Sequence, residues 1–127
     1  MLPKILIVDD STTTLLMEEM LIKKYTKFDV VLAHDGQEAV AKALSEHPSL
    51  ILMDVVMPRM DGFAACRAMR REPKLEKVPI ILVTSRGEPE NIESGFESGC
   101  NDYLTKPIES QELIQMVNGY LAVGQDR

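Results

Sequence analysis

The sequence predicts an α/β protein in which a doubly wound, five-stranded parallel sheet is covered by helices on both faces. Two observations carry this prediction. Short runs of Ile, Val and Leu alternate with longer stretches of helical periodicity, and this alternation repeats five times along 127 residues. Strand and helix in strict alternation require right-handed crossovers, which place parallel strands in one sheet between two helical layers. A chain of this length fits one domain, so we expect residues 1–127 to form a single domain.

Five short segments predict the strands. Four of them are continuous apolar runs of four residues, as expected where helices bury both faces of a parallel sheet. The fifth segment is shorter, and its place in the alternation assigns it. In chain order, the predicted strands are residues 5–8, 30–33, 50–53, 80–83 and 103–105.

The stretches between the strands predict five amphipathic helices, because apolar side chains recur there at three- and four-residue spacing. Asp35-Gly36 and Ser98-Gly99 mark helix ends. We expect the following side chains to face the sheet, in chain order: Met17, Met20 and Leu21; Val40, Ala43 and Leu44; Phe63, Cys66 and Met69; Ile92 and Phe96; Leu113, Val117, Tyr120 and Leu121.

Composition and charge exclude several classes of protein. The formal net charge is -6 and no run of Lys and Arg interrupts it, which argues against nucleic acid and anionic membranes as partners. No apolar stretch approaches the roughly 20 residues of a membrane span, so we expect a cytoplasmic protein. Cys66 and Cys100 are too few for a zinc site of about four ligands, and their apolar surroundings predict unpaired, buried side chains.

Polar residues follow four of the five predicted strands. Asp9 and Asp10 end the first, Asp54 the third, Thr84 the fourth and Lys106 the fifth. In a doubly wound sheet these strand ends lie in one crevice. Three carboxylates in one crevice repel one another unless a cation compensates them. Oxygen ligands without His or Cys favour Mg²⁺ for that cation.

Asp54 is the predicted nucleophile toward phosphorus. It stands alone at the end of the central strand, whereas the Asp9-Asp10 pair suits a metal ion, and carboxylates form aspartyl phosphates in other phosphoryl-transfer systems. Lys106 would supply positive charge, and Thr84 a hydroxyl donor, to the oxygens of the transferred group. Taken singly, each residue is more often a turn, cap or surface residue, so their joint placement carries the prediction.

These motifs resemble the receiver domain of two-component response regulators, over essentially the whole chain. The acidic pair follows Ile-Leu-Ile-Val at positions 5–8. Positions 52–62 read Leu-Met-Asp-Val-Val-Met-Pro-Arg-Met-Asp-Gly, and Thr84 and Lys106-Pro107 complete the set. The resemblance implies a flavodoxin-like three-layer sandwich with strand order 2-1-3-4-5. It also implies phosphorylation of Asp54, with Mg²⁺ held by Asp9, Asp10, Asp54 and the backbone carbonyl of Val56.

The resemblance further implies a switch and its partners. Thr84 and Lys106 would bind the phosphoryl oxygens, Tyr103 would change rotamer as Thr84 moves inward, and the Lys106–Pro107 peptide bond would be cis. A sensor histidine kinase or a histidine phosphotransfer protein would supply the phosphoryl group. A downstream target would bind the surface of the fourth helix, fifth strand and fifth helix.

The same resemblance implies how long the phosphorylated form lasts and how its signal is passed on. Val56 and Arg86 occupy positions that tune the phosphorylated lifetime, and neither is an amide or acid, so we expect slow unassisted dephosphorylation. Such a protein catalyses only its own phosphorylation and dephosphorylation, and it is not an enzyme toward other substrates. The chain ends at Arg127, soon after the fifth helix, so we expect output through a partner, in a chemotaxis-type or relay pathway, rather than through an attached domain.

Four alternatives stay open at this point. A haloacid-dehalogenase-like phosphohydrolase would place its nucleophile after the first strand as Asp-x-Asp, whereas the acids here are adjacent. A flavodoxin-like carrier would need a glycine in the loop at residues 11–14 to cradle phosphate. A phosphorylation-independent binding module would not need the complete set of polar residues. The chain could also be a receiver domain cut from a longer kinase or regulator.

Overall fold

The computed structural model describes residues 2–85 and 89–125. Strands and helices alternate along the chain as predicted, and a short 3-10 helix, Pro73–Leu75, precedes the fourth strand. No helix in these ranges is both long enough and apolar enough to span a bilayer. The elements are β1 (Lys4–Val8), α1 (Thr12–Tyr25), β2 (Asp29–Ala33), α2 (Gly36–Glu46), β3 (Leu50–Asp54), α3 (Gly62–Arg70), β4 (Ile80–Ser85), α4 (Pro89–Ser98), β5 (Asp102–Lys106) and α5 (Ser110–Gln125).

The five strands form one parallel sheet in the order β2-β1-β3-β4-β5, which confirms the predicted fold class and strand order. In the register of the sheet, Val8 lies beside Ala33 and Met53, and Asp54 lies beside Val83. From β1 the chain crosses to β2 on one side of β1, and from β2 it crosses to β3 on the other side of β1. The strand order therefore reverses between β1 and β3, and a crevice opens above the carboxyl ends of these two strands.

Helices cover both faces of the sheet because successive strand side chains point to opposite faces. Leu6 and Val8 pack in a core with buried residues of α2 and α3, whereas Ile5 and Ile7 pack in a second core with those of α1 and α5. Cys66 and Cys100 are unpaired and lie in the first of these cores, as predicted. A hydrophobic core on each face of the sheet therefore supports the strand ends beneath the crevice.

The predicted buried face of α1 is wrong. Met17 and Met20 are 55% and 64% exposed, and Leu21 is only partly buried. The side chains that α1 buries are Leu15, Glu18 and Ile22. Apolar residues surround this helix on nearly every side, so their spacing did not determine which face meets the sheet.

The predicted face of α4 is wrong at one position. Phe96 is 48% exposed, whereas Gly95 and Ser98 are buried. Small residues face the sheet here because α4 approaches it closely. A Cβ atom added at Gly95 would lie 3.3 Å from a methyl carbon of Leu82 on β4. Phe96 is displaced to the edge of the helix, where its ring meets β5.

Gly62 fixes the loop between β3 and α3 directly beneath the crevice. Its backbone N–H donates a hydrogen bond to the carbonyl oxygen of Val55 at 2.8 Å. A Cβ atom on Gly62 would lie 2.4 Å from the backbone oxygen of Asp54 and 2.9 Å from the Cα atom of Val55. The close approach of these two backbone segments therefore requires glycine.

We expect Gly62→Ala to lower the free energy of unfolding by about 1–3 kcal/mol, because the added methyl group must displace backbone. Gly119→Ala is the matched control. Apart from its chain neighbours and the backbone of α5 itself, no heavy atom of the described residues lies within 4 Å of a Cβ atom added there. That change should stabilise the protein by about 0.5–1 kcal/mol. Urea unfolding of both variants measures the difference, and equal stabilities would contradict the packing described.

Candidate functional site

Three aspartates meet at the carboxyl ends of β1 and β3. Asp9 and Asp10 follow β1 directly, and Asp54 is the last residue of β3. One carboxylate oxygen from each of the three lies within 4.8 Å of the others. Asp9 and Asp54 are 2% and 5% exposed, whereas Asp10 is exposed. The structure thus brings together all three acids that the sequence assigned to one crevice.

Lys106 joins this cluster from β5. Its Nζ atom lies 3.2 Å from Oδ2 of Asp9 and 3.4 Å from Oδ1 of Asp54. The other carboxylate oxygen of Asp9 accepts a hydrogen bond of 2.9 Å from the backbone N–H of Ser11. The Lys106–Pro107 peptide bond is cis, in agreement with the implication of the resemblance. Asp9 is consequently held from two sides, and one ammonium group bridges it to Asp54.

The charges in the cluster are not balanced. Burial raises the pKa of Asp54 to about 6, and the charge of Asp9 adds to the shift while Lys106 opposes it. Burial acts to lower the pKa of Lys106, but the charges of Asp54 and Asp9 raise it overall. One lysine therefore faces three carboxylates, an arrangement that favours an added cation.

The oxygen ligands in the cluster fit a magnesium ion. Two ligands on opposite sides of Mg²⁺, each about 2.1 Å from it, are about 4.2 Å apart. The three aspartate oxygens lie within 4.8 Å of one another, close to this span. Val56, whose carbonyl the resemblance also assigns to the metal, lies two residues after Asp54 and is 69% exposed. The metal ligands remain predictions.

Thr84 brings an unpaired hydroxyl to the crevice. It is the residue after Val83 on β4, and it is 2% exposed. Within the described part of the chain, its Oγ1 atom is buried and has no hydrogen-bond partner. A buried hydroxyl without a partner costs about 1–3 kcal/mol. Such a group is a donor available to a ligand that enters the crevice.

Tyr103, the predicted switch residue, is half-buried on β5. Its ring packs edge-to-face against Phe96 of α4, with 6.1 Å between ring centroids and 85° between ring planes. The hydroxyl of Tyr120 on α5 donates a hydrogen bond of 3.2 Å to Asp102, the residue before Tyr103. Tyr103 therefore lies at the junction of α4 and β5. Arg86, the second position that the resemblance links to lifetime, lies outside the described residues.

Glu18 is a residue of this region that sequence reasoning missed. It lies on the buried face of α1 and is 4% exposed. Burial raises the pKa of Glu18 to about 8, the charges of Asp9 and Asp54 contribute to the rise, and Lys106 opposes it. The signal available in the sequence was its spacing, because Glu18 lies three residues after Leu15 and four before Ile22.

We expect Glu18→Gln to weaken the pH dependence of stability. The folded-state pKa of Glu18 is above its ordinary value of 4.5. Its contribution to stability is therefore complete below about pH 4.5 and is lost as the pH rises through about 8. The pKa of Asp54 is also raised, to about 6, so its contribution to stability is likewise lost as the pH rises, but at lower pH than that of Glu18.

Urea unfolding with a chelator present tests this expectation. The free energy of unfolding of the wild-type protein should fall between about pH 6 and pH 8, and the Gln variant should show a smaller fall. Equal slopes for the two proteins in this range would contradict the burial of Glu18. Glu19→Gln is the control, since Glu19 lies beside it on α1 and pairs at the surface with Lys23.

Comparison with known protein families identifies relatives across the chain. The sequence model described as the response regulator receiver domain matches residues 5–118. The protein PilH of Pseudomonas aeruginosa is 36% identical over 119 residues, which cover 94% of this chain and 98% of PilH. Some relatives are longer, and the chain spans 49% and 25% of two of them.

Solved structures match over nearly the same extent. The chemotaxis protein CheY4 of Vibrio cholerae superposes with a TM-score of 0.89 at 31% identity, covering 95% of this chain and 100% of that one. The receiver domain of the sensor histidine kinase PA1611 of Pseudomonas aeruginosa superposes with a TM-score of 0.88 at 30% identity, covering 96% and 99%. That structure has a magnesium ion coordinated in its active-site cleft.

Proposed function

The chain belongs to the response regulator receiver family of two-component signalling, and from that premise we propose that Asp54 accepts a phosphoryl group from a phosphohistidine donor. The observation that carries the proposal is the buried cluster itself. Asp54 is the carboxylate that shares one crevice with two further acids, an ammonium group and an unpaired hydroxyl. Its pKa of about 6 leaves it mostly ionised, and so nucleophilic, at neutral pH.

Asp9, Asp10 and Asp54, with the carbonyl of Val56, would hold Mg²⁺. The spacing of the aspartate oxygens and the excess of negative charge support this assignment. The magnesium ion in the cleft of the PA1611 receiver domain supports it as well. Mg²⁺ held by these residues would supply positive charge between the acids and the incoming phosphoryl oxygens.

The reaction at Asp54 is an in-line displacement. A carboxylate oxygen of Asp54 forms a bond to phosphorus while the P–N bond of phosphohistidine breaks, and the electron pair stays on the imidazole nitrogen. Lys106 begins within 3.4 Å of Asp54 and contributes positive charge to the transferred group. The Thr84 hydroxyl, which has no hydrogen-bond partner among the described residues, would donate a hydrogen bond to a phosphoryl oxygen. These three side chains hold the product in place.

The signal leaves through the surface formed by α4, β5 and α5. The phosphoryl group adds a charge of about -1.5 to -2, which attracts Thr84 and Lys106 at the ends of β4 and β5. Tyr103 lies on β5 against Phe96. As the resemblance implies, it would change rotamer as Thr84 moves inward. A downstream protein of a chemotaxis-type pathway in the cytoplasm reads this change, and neither nucleic acid nor a membrane is a partner.

Phosphoramidate tests the proposal because its P–N bond resembles that of phosphohistidine. The full chain is incubated with phosphoramidate and Mg²⁺, and its intact mass is measured; a parallel sample contains a chelator. We expect the mass increment of one phosphoryl group with Mg²⁺ and none with the chelator. An increment of equal size in both samples would contradict the metal assignment, and no increment in either would contradict phosphoryl transfer.

We also propose that the chain is not an enzyme toward other substrates. The adjacent acids of Asp9-Asp10 differ from the Asp-x-Asp spacing of haloacid-dehalogenase-like phosphohydrolases. Repeated turnover of a generic phosphate ester such as p-nitrophenyl phosphate by the purified protein would favour that class instead. Flavin colour on purification would favour a flavodoxin-like carrier. A fold-only binding module would give neither turnover nor phosphorylation.

A further inference from the structure

Arg59 has a backbone conformation that is unusual for its residue type. It lies in the loop of residues 55–61, between β3 and α3, and its φ angle is 69°. In this left-handed region the Cβ atom of an ordinary residue is crowded, so glycine is the usual occupant. His47 shares the conformation, but it ends α2, where left-handed residues are common. An arginine in this conformation inside a loop indicates that its side chain makes a compensating contact.

The side chain of Arg59 connects this loop to the start of α2. Its Nη1 atom lies 2.9 Å from Oδ2 of Asp35. The other carboxylate oxygen of Asp35 accepts a hydrogen bond of 2.8 Å from the backbone N–H of Glu38 and so caps the helix. The hydrogen bond from Glu38 and the pairing with Arg59 lower the pKa of Asp35 against the opposing effect of burial. Asp35 is thus an ionised group, fixed on α2, to which Arg59 holds the loop.

The backbone beside Arg59 is packed against α2 as well. The N–H of Met60 donates a hydrogen bond of 2.8 Å to the carbonyl oxygen of Pro58, which closes a tight turn at Arg59. A Cβ atom added at Gly36, the first residue of α2, would lie 2.8 Å from the Cβ atom of Met60 and closer still to its backbone oxygen. The tip of the loop therefore lies directly against α2, where Arg59 reaches Asp35.

The same loop carries Val56, whose carbonyl is a proposed ligand of Mg²⁺. Val55, immediately before it, is fixed on both sides, because its N–H donates to the carbonyl of Val83 and its carbonyl accepts from Gly62. The carbonyl of Val56, by contrast, accepts no hydrogen bond from another backbone group in the described part of the chain. Its direction therefore depends on how the rest of the loop is held.

We propose that Arg59 is a positioning residue for the metal site, because its pairing with Asp35 holds the loop in the conformation that keeps the carbonyl of Val56 available to Mg²⁺. The inference rests on the proposed function, since it assumes that the aspartates and Val56 bind the ion. The sign of the effect separates this role from simple electrostatics. Removing a positive charge near a cation site strengthens binding if charge alone acts, whereas loss of positioning weakens it.

Titration of the full chain with Mg²⁺ tests the proposal, with binding followed by the backbone amide NMR shifts of Asp9 and Asp54 at constant ionic strength. We expect Arg59→Met to weaken binding by about three- to fivefold, near the upper limit for an exposed ion pair, because Asp35 is largely buried. Arg59 pairs through one nitrogen, so Arg59→Lys can keep the ion pair and should bind within about 1.5-fold of wild type. Arg67→Met, at an exposed position of α3, controls for the lost charge and should not weaken binding.

A double substitution tests whether the effect passes through Asp35. Asp35→Asn removes the charge but leaves a side chain that can still cap α2. If the ion pair positions the loop, Asp35→Asn combined with Arg59→Met should weaken Mg²⁺ binding about as much as Arg59→Met alone, since both changes remove one interaction. If only charge acted, the two changes would have opposite effects and would cancel, and that result would overturn the proposal.

A measurement without metal separates failure of this inference from failure of the proposed function. With a chelator present, the hydrogen-bonded amide protons of Met60 and Gly62 should exchange with solvent faster in Arg59→Met than in wild type. The inference alone is overturned if these exchange rates are equal, or if the wild type binds Mg²⁺ and Arg59→Met binds it equally or more tightly. A wild type that does not bind Mg²⁺ would overturn the metal site and this inference with it.

Discussion

Asp54→Asn is expected to abolish phosphorylation by a small donor. Asparagine keeps the shape of the side chain at the end of β3, but its neutral amide lacks the nucleophilic carboxylate oxygen. The variant should fold, because it removes a carboxylate whose ionisation is opposed by burial and by the charge of Asp9. After incubation with Mg²⁺ and acetyl phosphate, its intact mass should be unchanged, whereas the wild type gains one phosphoryl group.

Asp29→Asn is the matched control for this substitution. Asp29 is exposed at the first residue of β2, at the opposite end of the sheet from the crevice. The same chemical change there should leave the phosphorylation rate within about a factor of two of wild type, since surface changes away from a site have small effects. A mass gain that survives in Asp54→Asn would assign the phosphoryl group to another residue and contradict the proposal.

Lys106→Met is expected to have two large effects. Methionine retains an apolar stem but removes the ammonium group that bridges Asp9 and Asp54. Phosphorylation should slow by about 100-fold or more, the usual cost of removing one group that stabilises developing charge. Without divalent cations at neutral pH, the free energy of unfolding should fall by about 1–3 kcal/mol. This expected loss is smaller than the roughly 3–5 kcal/mol lost when one partner of a fully buried ion pair is removed, because Lys106 is partly exposed.

Added Mg²⁺ should return part of the lost stability to Lys106→Met, because a divalent cation bound to the aspartates replaces the missing charge. Lys77→Met, at an exposed position before β4, is the control and should change stability by about 0.5 kcal/mol or less. Urea unfolding with chelator and with Mg²⁺ measures both proteins. Equal stability of Lys106→Met and wild type under chelator would contradict the bridging role of Lys106.

Much of the site could be predicted from sequence because it depends on strand ends. A polar residue directly after an apolar run marks the carboxyl end of a strand, and parallel topology brings these ends together. Asp9, Asp54 and Lys106 were found in this way, although about a hundred residues separate the first from the last. No knowledge of side-chain packing was needed for these residues.

The features that could not be predicted from sequence depend on which face of a helix packs against the sheet. Six apolar residues between Leu15 and Ile22 surround α1, so periodicity alone could not select the buried face. A charged residue is ordinarily assigned to solvent, and this assumption hid Glu18. The exposure of Phe96 likewise followed from the close approach of α4 to β4 at Gly95, a distance that the sequence does not contain. The missed features are those determined by tertiary packing.

Locating the phosphoryl group tests the central proposal most directly. The full chain is incubated with Mg²⁺ and acetyl phosphate, the acyl phosphate is trapped by borohydride reduction, and the modified residue is identified by fragment mass. Phosphorylation as proposed predicts one modified residue per chain, Asp54. Modification of any other residue, or no modification while Mg²⁺ and donor are in excess, would contradict it.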